Sequence, residues 1–477
     1  MQRRSVLVVC LTATASICLC QSQPPTQTIS TDPNDWPMYN HDSRGTRFNH
    51  AETALSPTTV RSLRVEWVYP TAGDVYATPA VVDEKVYAGD SKGVFYALTS
   101  RGQLLWTFQA SAAITSSALV TNRMVFFGDQ GGNIYGLDRN TGAKLWSVRP
   151  NSHPLAAIWG SPAWADGGLV VGIASNEEDA AQKSGSVYPC CTFRGSAVRL
   201  DPDSGEVVWQ TSFISDMESQ HGGAGAPVWS TPTYDPDLGL VFVTTGNNYA
   251  GNTHQSPGTA LSDSFIALDV KNGKIVWSHQ TRANDNQPND YDFGDSPQIY
   301  SLPSGQKVVG AGQKSGVYWV MDAATGSRVA QNQAVPFCDG TEGLFADSAV
   351  AQNVVVVNGQ DCDVYWKDPL VPRTGRVVGL SSDATRRLWE FTSWFAPTFS
   401  GVAIANGVVY FEASGLLSTL HALDLKTGSV LHSTLIPGGF SGPAVSRGTV
   451  YVGAGITLAS GGIPSIPGII ALRPSAM

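Results

Sequence analysis

Short runs of alternating apolar and polar residues recur along this chain, separated by turns of Gly, Asp, Asn and Pro, and they come in sets. One set reads Tyr76 to Val82, Val86 to Gly89 and Val94 to Leu98. The next reads Ile114 to Val120, Met124 to Gly128 and Asn133 to Leu137. Each set closes on a strand that follows a polar turn. Leu137-Asp138 leads through Gly142 to Trp146, Leu200-Asp201 through Gly205 to Trp209, and Leu268-Asp269 through Gly273 to Trp277. Aligned on that final position, the endings fall at Trp67, Trp106, Trp146, Trp209, Trp277, Ala330, Trp389 and His432, with the Gly missing before Trp67 and Trp389. About four short strands per repeat, eight times over, predict an all-β, eight-bladed β-propeller in which each Trp is an apolar plug docked between neighbouring blades.

The closure is legible too. The first ending, Arg64-Val65-Glu66-Trp67, has no inner strands before it, whereas the last segment, Gly439 to Leu472, has inner strands and no ending. The two chain ends are therefore expected to complete one blade, which removes the free sheet edges of an open array. Insertions gather between Gly172 and Gly195, Asn247 and Ser264, and Ser278 and Ser296, where a site would be built.

Composition narrows the function classes. Charged residues are only 14% of the chain, with 49 Gly and 28 Pro, which suits short strands and tight turns. A net charge of -9 leaves no basic stripe for nucleic acid. Arg3 and Arg4 precede an apolar run from Ser5 to Cys20 that is short for a membrane span and is followed by Gln21-Ser22-Gln23. This reads as a secretory signal, with an uncleaved anchor as the alternative, and predicts a secreted or periplasmic protein without a membrane span once the signal is removed. The expected division is residues 1–20 as signal, 21–60 as an N-terminal extension and 61–477 as the propeller. Removal of the signal leaves Cys190, Cys191, Cys338 and Cys362 in an oxidising compartment. Cys338 and Cys362 could pair conventionally. Adjacent Cys190 and Cys191 would each need a separate partner or would close on each other.

Four segments carry candidate chemistry, and each has a plainer reading. Gly172 to Glu178 runs a strand into Glu177 and Glu178, which could be solvated acids or ligands. Trp229, with Asn247 at the end of Thr244-Thr245-Gly246-Asn247-Asn248, places an aromatic and an amide in one blade, where a core Trp and a turn Asn are the alternatives. Asn289 to Pro297 carries Asp290, Asp292 and Asp295, acids that repel one another unless a cation or a proton relieves them. Lys314 sits in the turn Gly312 to Val317, where a Lys often only solubilises a loop.

The order carboxylate, Trp, Asn, Asp, Lys in successive repeats resembles the pyrroloquinoline quinone (PQQ)-dependent alcohol dehydrogenases, a family of eight-bladed propellers with Trp docking motifs. The resemblance covers nearly everything after the signal. It is strongest to the polyvinyl-alcohol dehydrogenase branch, through Trp36 to Asp42, Tyr188-Pro189-Cys190-Cys191-Thr192-Phe193-Arg194-Gly195-Ser196 and Tyr291-Asp292-Phe293-Gly294. It implies that Glu177, Asn247 and Asp292 bind Ca2+, which holds the quinone, and that Asp292 is the general base. It also implies that Trp229 stacks beneath the quinone and a Cys190-Cys191 ring covers it. Lys314 would bond the reactive carbonyl and Arg194 a cofactor carboxylate. The implied activity is oxidation of an alcohol, polymeric alcohols included, by hydride transfer to PQQ, with electrons passed to an external acceptor such as a cytochrome c. Trp159 and Ala174 stand where that branch carries small hydroxyl residues, and no Cys-x-x-Cys-His haem motif occurs. A non-catalytic propeller scaffold is the rival reading, and a degenerate enzyme that binds a sugar or cell-wall polymer is a third, suggested by Ala330 and His432 at docking positions.

Overall fold

The computed structural model describes residues 26–184, 188–249, 259–282, 291–336, 343–361, 374–394, 396–414, 418–455 and 466–475. The expected signal, residues 1–20, and Cys338 and Cys362 with their conventional pairing lie outside them. The described residues form eight antiparallel sheets, each a meander from an inner to an outer strand. We number them as blades in chain order. Blade 1 is Ala80–Val82, Lys85–Gly89, Val94–Thr99 and Leu104–Gln109, and blade 2 runs from Leu119–Val120 to Lys144–Val148. Blade 3 runs from Ala163–Ala165 to Val207–Ser212, blade 4 from Thr233–Asp235 to Ile275–Gln280, and blade 5 from Gln298–Ser301 to Arg328–Gln333. Blade 6 runs from Ala349–Ala351 to Arg387–Ser393, and blade 7 from Ala403–Ala405 to Val430–Leu435. In blade 8, Ala444–Ser446, Thr449–Ala454 and Gly468–Pro474 are completed by Leu63–Pro70, paired Leu63 to Pro474 through Pro70 to Gly468, which is the closure expected from the two chain ends.

The docking Trp residues show why the repeat has its form. Trp106 donates its indole N–H to Arg139 O at 3.1 Å, Trp146 to Pro202 O at 3.0 Å, Trp209 to Val270 O at 2.9 Å and Trp389 to Leu425 O at 2.8 Å, each acceptor lying in the turn of the following blade. The ring lies against that turn's glycine, Gly142, Gly205, Gly273 or Gly428, each at positive φ, where an added Cβ would come within 2.7 Å of the indole. The Gly before a Trp thus serves the Trp of the preceding blade. The pattern breaks in pairs for that reason. Ala330 replaces a Trp, and the turn it faces carries Ala384 (φ +52°) in place of Gly.

A second girdle closes the ring near the axis. The backbone N–H of Ser117 donates to Ser161 Oγ (2.9 Å), that of Ser161 to Thr231 Oγ1 (3.1 Å), that of Thr231 to Ser296 Oγ (2.9 Å) and that of Ser296 to Asp347 Oδ1 (2.6 Å), always one blade to the next. Blades 7 and 8 carry Gly401 and Gly442 at this position, and the fully buried Arg47 fills the gap, donating to Val402 O and Tyr39 O at 2.6 Å each. The segment before the propeller therefore reaches the axis, and its Phe48–Asn49 adds a parallel strand to blade 7.

Candidate active site

Because each sheet is a meander, the ends of all second strands and the starts of all third strands share one face. Glu178, Asn247 and Lys314 lie beyond the second strands of blades 3, 4 and 5, and Trp229 and Asp292 enter the first strands of blades 4 and 5 from the same side. A cavity of about 230 Å³ is lined by Glu178, Asn247, Trp229, Asp292, Lys314 and Phe345, among others. Residues 63 positions apart meet in it.

Asp292, 4% exposed, is the centre of the arrangement. Its Oδ2 accepts the indole N–H of Trp229 at 2.8 Å and its Oδ1 pairs with Lys314 Nζ at 2.7 Å. Lys314 Nζ also lies 5.0 Å from the Trp229 ring centroid, on its face. The indole can lie there because its neighbours are Gly246 and Gly294, where an added Cβ would stand 3.1 Å from Trp229 Nε1 and 2.5 Å from Trp229 Cη2 respectively. Asn247 Nδ2 donates to Glu178 Oε1 at 3.2 Å. Tyr249 lines the same cavity, and its phenol is pushed well up by burial and by the negative charges of Glu178, Asp292 and Glu177, so the pocket has a negative field.

Four of the expected site residues are placed differently. Glu177 is fully buried, but its carboxylate turns to the chain segment after its helix, accepting Tyr188 Oη at 3.0 Å and Thr192 N at 2.9 Å on Oε1 and Phe193 N at 2.8 Å on Oε2. The carboxylate facing Asn247 is that of Glu178. Both open the helix Glu177–Ser184, where consecutive side chains diverge by about 100°, so only one can face the cavity. Arg194 is held away from it, donating through Nε to Ile214 O at 3.0 Å and pairing through Nη1 with Asp216 Oδ1 at 2.8 Å. Cys190 and Cys191 are bonded to each other, and Glu177 clamps the residues that follow them, but neither cysteine lines this cavity.

The residues present fit the cofactors that the family implies. Glu178 and Asp292 supply carboxylate oxygens and Asn247 an amide whose oxygen faces the same space after a side-chain flip, a donor set suited to a hard cation. Among the described residues no cluster of three or more His, Cys, Asp or Glu converges on a metal position, so any cation here would rest on two carboxylates and the amide. Trp229, Trp159 and Phe345 offer flat apolar surfaces for a planar ring system.

Residues 214–343 match the family model described as glucose/ethanol/alcohol dehydrogenase, beta-propeller domain, and residues 53–259 match that of the outer membrane protein assembly factor BamB. A polyvinylalcohol dehydrogenase of Pseudomonas sp is 30% identical over 71% of this chain and 57% of its own length. The chain is similar to the PQQ-dependent alcohol dehydrogenases. A second relative, the polyvinylalcohol dehydrogenase of Sphingopyxis sp. (strain 113P3), is 26% identical over 91% of the chain and 74% of its own length. The chain thus spans between about half and three quarters of such family members. The crystal structure of the quinohemoprotein alcohol dehydrogenase from Comamonas testosteroni superposes with a TM-score of 0.77 at 19% identity, covering 92% of this chain and 80% of that one, which shows the shared fold.

Sequence reasoning passed over a set that the repeat itself marks. The residue two before the girdle position is Tyr76, Thr115, Trp159, Trp229, Gly294, Phe345, Phe399 and Phe440 in blades 1 to 8. Aligning Trp159-Gly160-Ser161-Pro162 with Trp229-Ser230-Thr231-Pro232 shows it. Asp347 was also missed, and with it the partner of Asp295. Asp295 is pushed up to about 8 by burial and by Asp347, against hydrogen bonds from Ser348, Gly312 and Gln298.

Proposed function

We propose that this chain is an exported quinoprotein dehydrogenase that oxidises an alcohol to the carbonyl, with Asp292 as the base and electrons passed to a separate acceptor such as a cytochrome c. The observation that carries the reading is the convergence of Asp292, Lys314 and Trp229 with Asn247 and Glu178 in one cavity. When bound there, PQQ with a calcium ion would supply the electron sink. Glu178, Asn247 and Asp292 would hold the cation, and Trp229 would floor the ring system. The adjacent Cys190 and Cys191 stand on a segment fixed by Glu177 at the same face.

The chain's own groups account for the proton and the charge. Lys314 Nζ, 2.7 Å from Asp292 Oδ1, favours the carboxylate form of Asp292, the form that would accept the alcohol proton as the carbon is oxidised. Lys314 balances the carboxylate and presents ammonium N–H groups where negative charge develops. The apolar walls keep water from the paired charges and strengthen both interactions.

Alcohol-dependent reduction of a redox dye, after incubation with PQQ and calcium, tests the reading, and a panel that includes polyvinyl alcohol names the substrate class. Turnover that needs both additions supports it. The match of residues 53–259 to an assembly-factor model keeps a scaffold role as the second reading. Quinone binding separates the two, because a scaffold has no use for Asp292, Lys314 and Asn247 around one cavity.

A further inference from the structure

Beside the charged cavity, on the propeller axis, lies a second one of about 330 Å³. The two share Trp159, Trp229 and Phe345, so a ligand in either touches the same side chains. The wall of the axial cavity is an aromatic collar from six blades: Tyr76, Trp159, Trp229, Phe345, Phe399 and Phe440, all at one repeat position. Phe345 packs on Trp229 at 5.3 Å and on Phe399 at 5.9 Å, and Phe399 on Phe440 at 5.1 Å, so the collar is continuous through blades 6, 7 and 8. Trp159 is 41% exposed, and its indole N–H is pinned to Asn176 Oδ1 at 3.0 Å, with its face left to the space. At the foot stand Tyr39, bonded to Asp347, and the girdle hydroxyls.

The base, the ammonium and the amide line one chamber only, whereas Tyr76, Phe399 and Phe440 line only the other, and Trp159, Trp229 and Phe345 face both. A short alcohol would leave this collar facing water, whereas hydrocarbon placed in it gains about 0.8 kcal/mol per methylene. A cavity of this size, apolar with a few polar groups at one end, is what small-molecule binding calls for.

We infer that the axial throat binds the apolar part of the substrate: the substrate is an amphiphilic alcohol whose hydrocarbon or aryl portion enters the collar while its hydroxyl stays at Asp292. This rests on the dehydrogenase reading for the role of the ligand, but the binding site itself does not, so the test is made on protein without cofactor. Blade 2 carries Thr115 at the collar position, beside the same cavity. A Thr115→Trp substitution places there the side chain that the fold already holds at Trp159 and Trp229, and it fills the throat without a new backbone.

Calorimetric titration of a series of primary alkanols into the cofactor-free protein is the experiment, followed by intrinsic Trp fluorescence. Affinity is expected to rise about fourfold per methylene until the throat is full, and the rise is expected to vanish in Thr115→Trp. A Phe440→Ala variant is expected to accept longer chains before the rise stops. Affinity independent of chain length, or an unchanged series in Thr115→Trp with native thermal unfolding, would overturn the inference. So would loss of PQQ binding in Thr115→Trp with alkanol binding intact, since the throat would then hold the ring system and not the substrate tail. Failure of PQQ to bind the wild-type protein would strike the dehydrogenase reading and leave the alkanol series to stand or fall alone.

Discussion

Asp292 does two things because two donors hold it from different sides. Trp229 holds Oδ2 and Lys314 holds Oδ1, both within 2.8 Å. An Asp292→Asn variant keeps the shape and loses the proposed base, so kcat is expected to drop by about 10²–10⁴-fold while PQQ affinity changes far less. Steady-state kinetics beside a binding titration separate these effects. Away from the site, His421 is stacked on Phe411 at 5.1 Å, and burial lowers its pKa to about 4. The unfolded chain takes up that proton near pH 6.5, the native state only near pH 4, so the unfolded state binds more protons between them. Stability is therefore expected to fall as pH drops from 6.5 to 4, by up to about 3 kcal/mol, and a His421→Phe variant should show a flatter unfolding profile over that window. At this scale the sequence named Asp292, Lys314, Trp229 and Asn247 as a set, and the structure brings them together. It named Glu177 as the ligand, whereas the acid that faces Asn247 is Glu178, because adjacent acids are alike in composition and differ only in the direction the helix gives them. Arg194 shows the same limit: its number marks a segment near the site, while Ile214 O and Asp216 decide where the guanidinium goes.

Among the elements, the segment 188–193 and the docking turns carry the clearest consequences. Glu177 gathers Tyr188, Thr192 and Phe193 around one buried carboxylate. Glu177→Ala is expected to speed hydrogen exchange at the Thr192 and Phe193 amides at least tenfold, whereas Glu178→Gln should leave those amides protected and weaken calcium binding. The reverse pattern would exchange the roles of the two acids. The docking turns were legible as Trp and Gly endings, but the reason for the Gly lies in the neighbouring blade and emerges only from the packing. It explains why Ala330 and Ala384 occur together: neither Trp nor Gly is useful without the other. The double variant Ala330→Trp with Ala384→Gly is expected to gain about 1–3 kcal/mol, and Ala330→Trp alone to gain less or to destabilise through crowding at Ala384. Denaturant unfolding of the four proteins in the cycle measures the coupling.

For the whole molecule, eight repeats closed by Leu63–Pro70 against Gly468–Pro474 place one face of second-strand turns around a single axis. That geometry converts distant residues into a site. Its sequence signal was strong because the period recurs eight times. The axial throat left no comparable trace, since an aromatic is ordinary in any one blade and becomes a collar only when the ring closes. Among the described residues no helix is long and apolar enough to cross a membrane. We propose that the cavity of Glu178, Asn247, Asp292, Lys314 and Trp229 holds a quinone through a divalent cation. Titration of PQQ into the protein, with calcium and then with a chelator, measures this most directly. One quinone per chain is expected, bound only with the cation present and lost in an Asn247→Ala variant. Absence of binding, or binding indifferent to both chelation and Asn247, would contradict it.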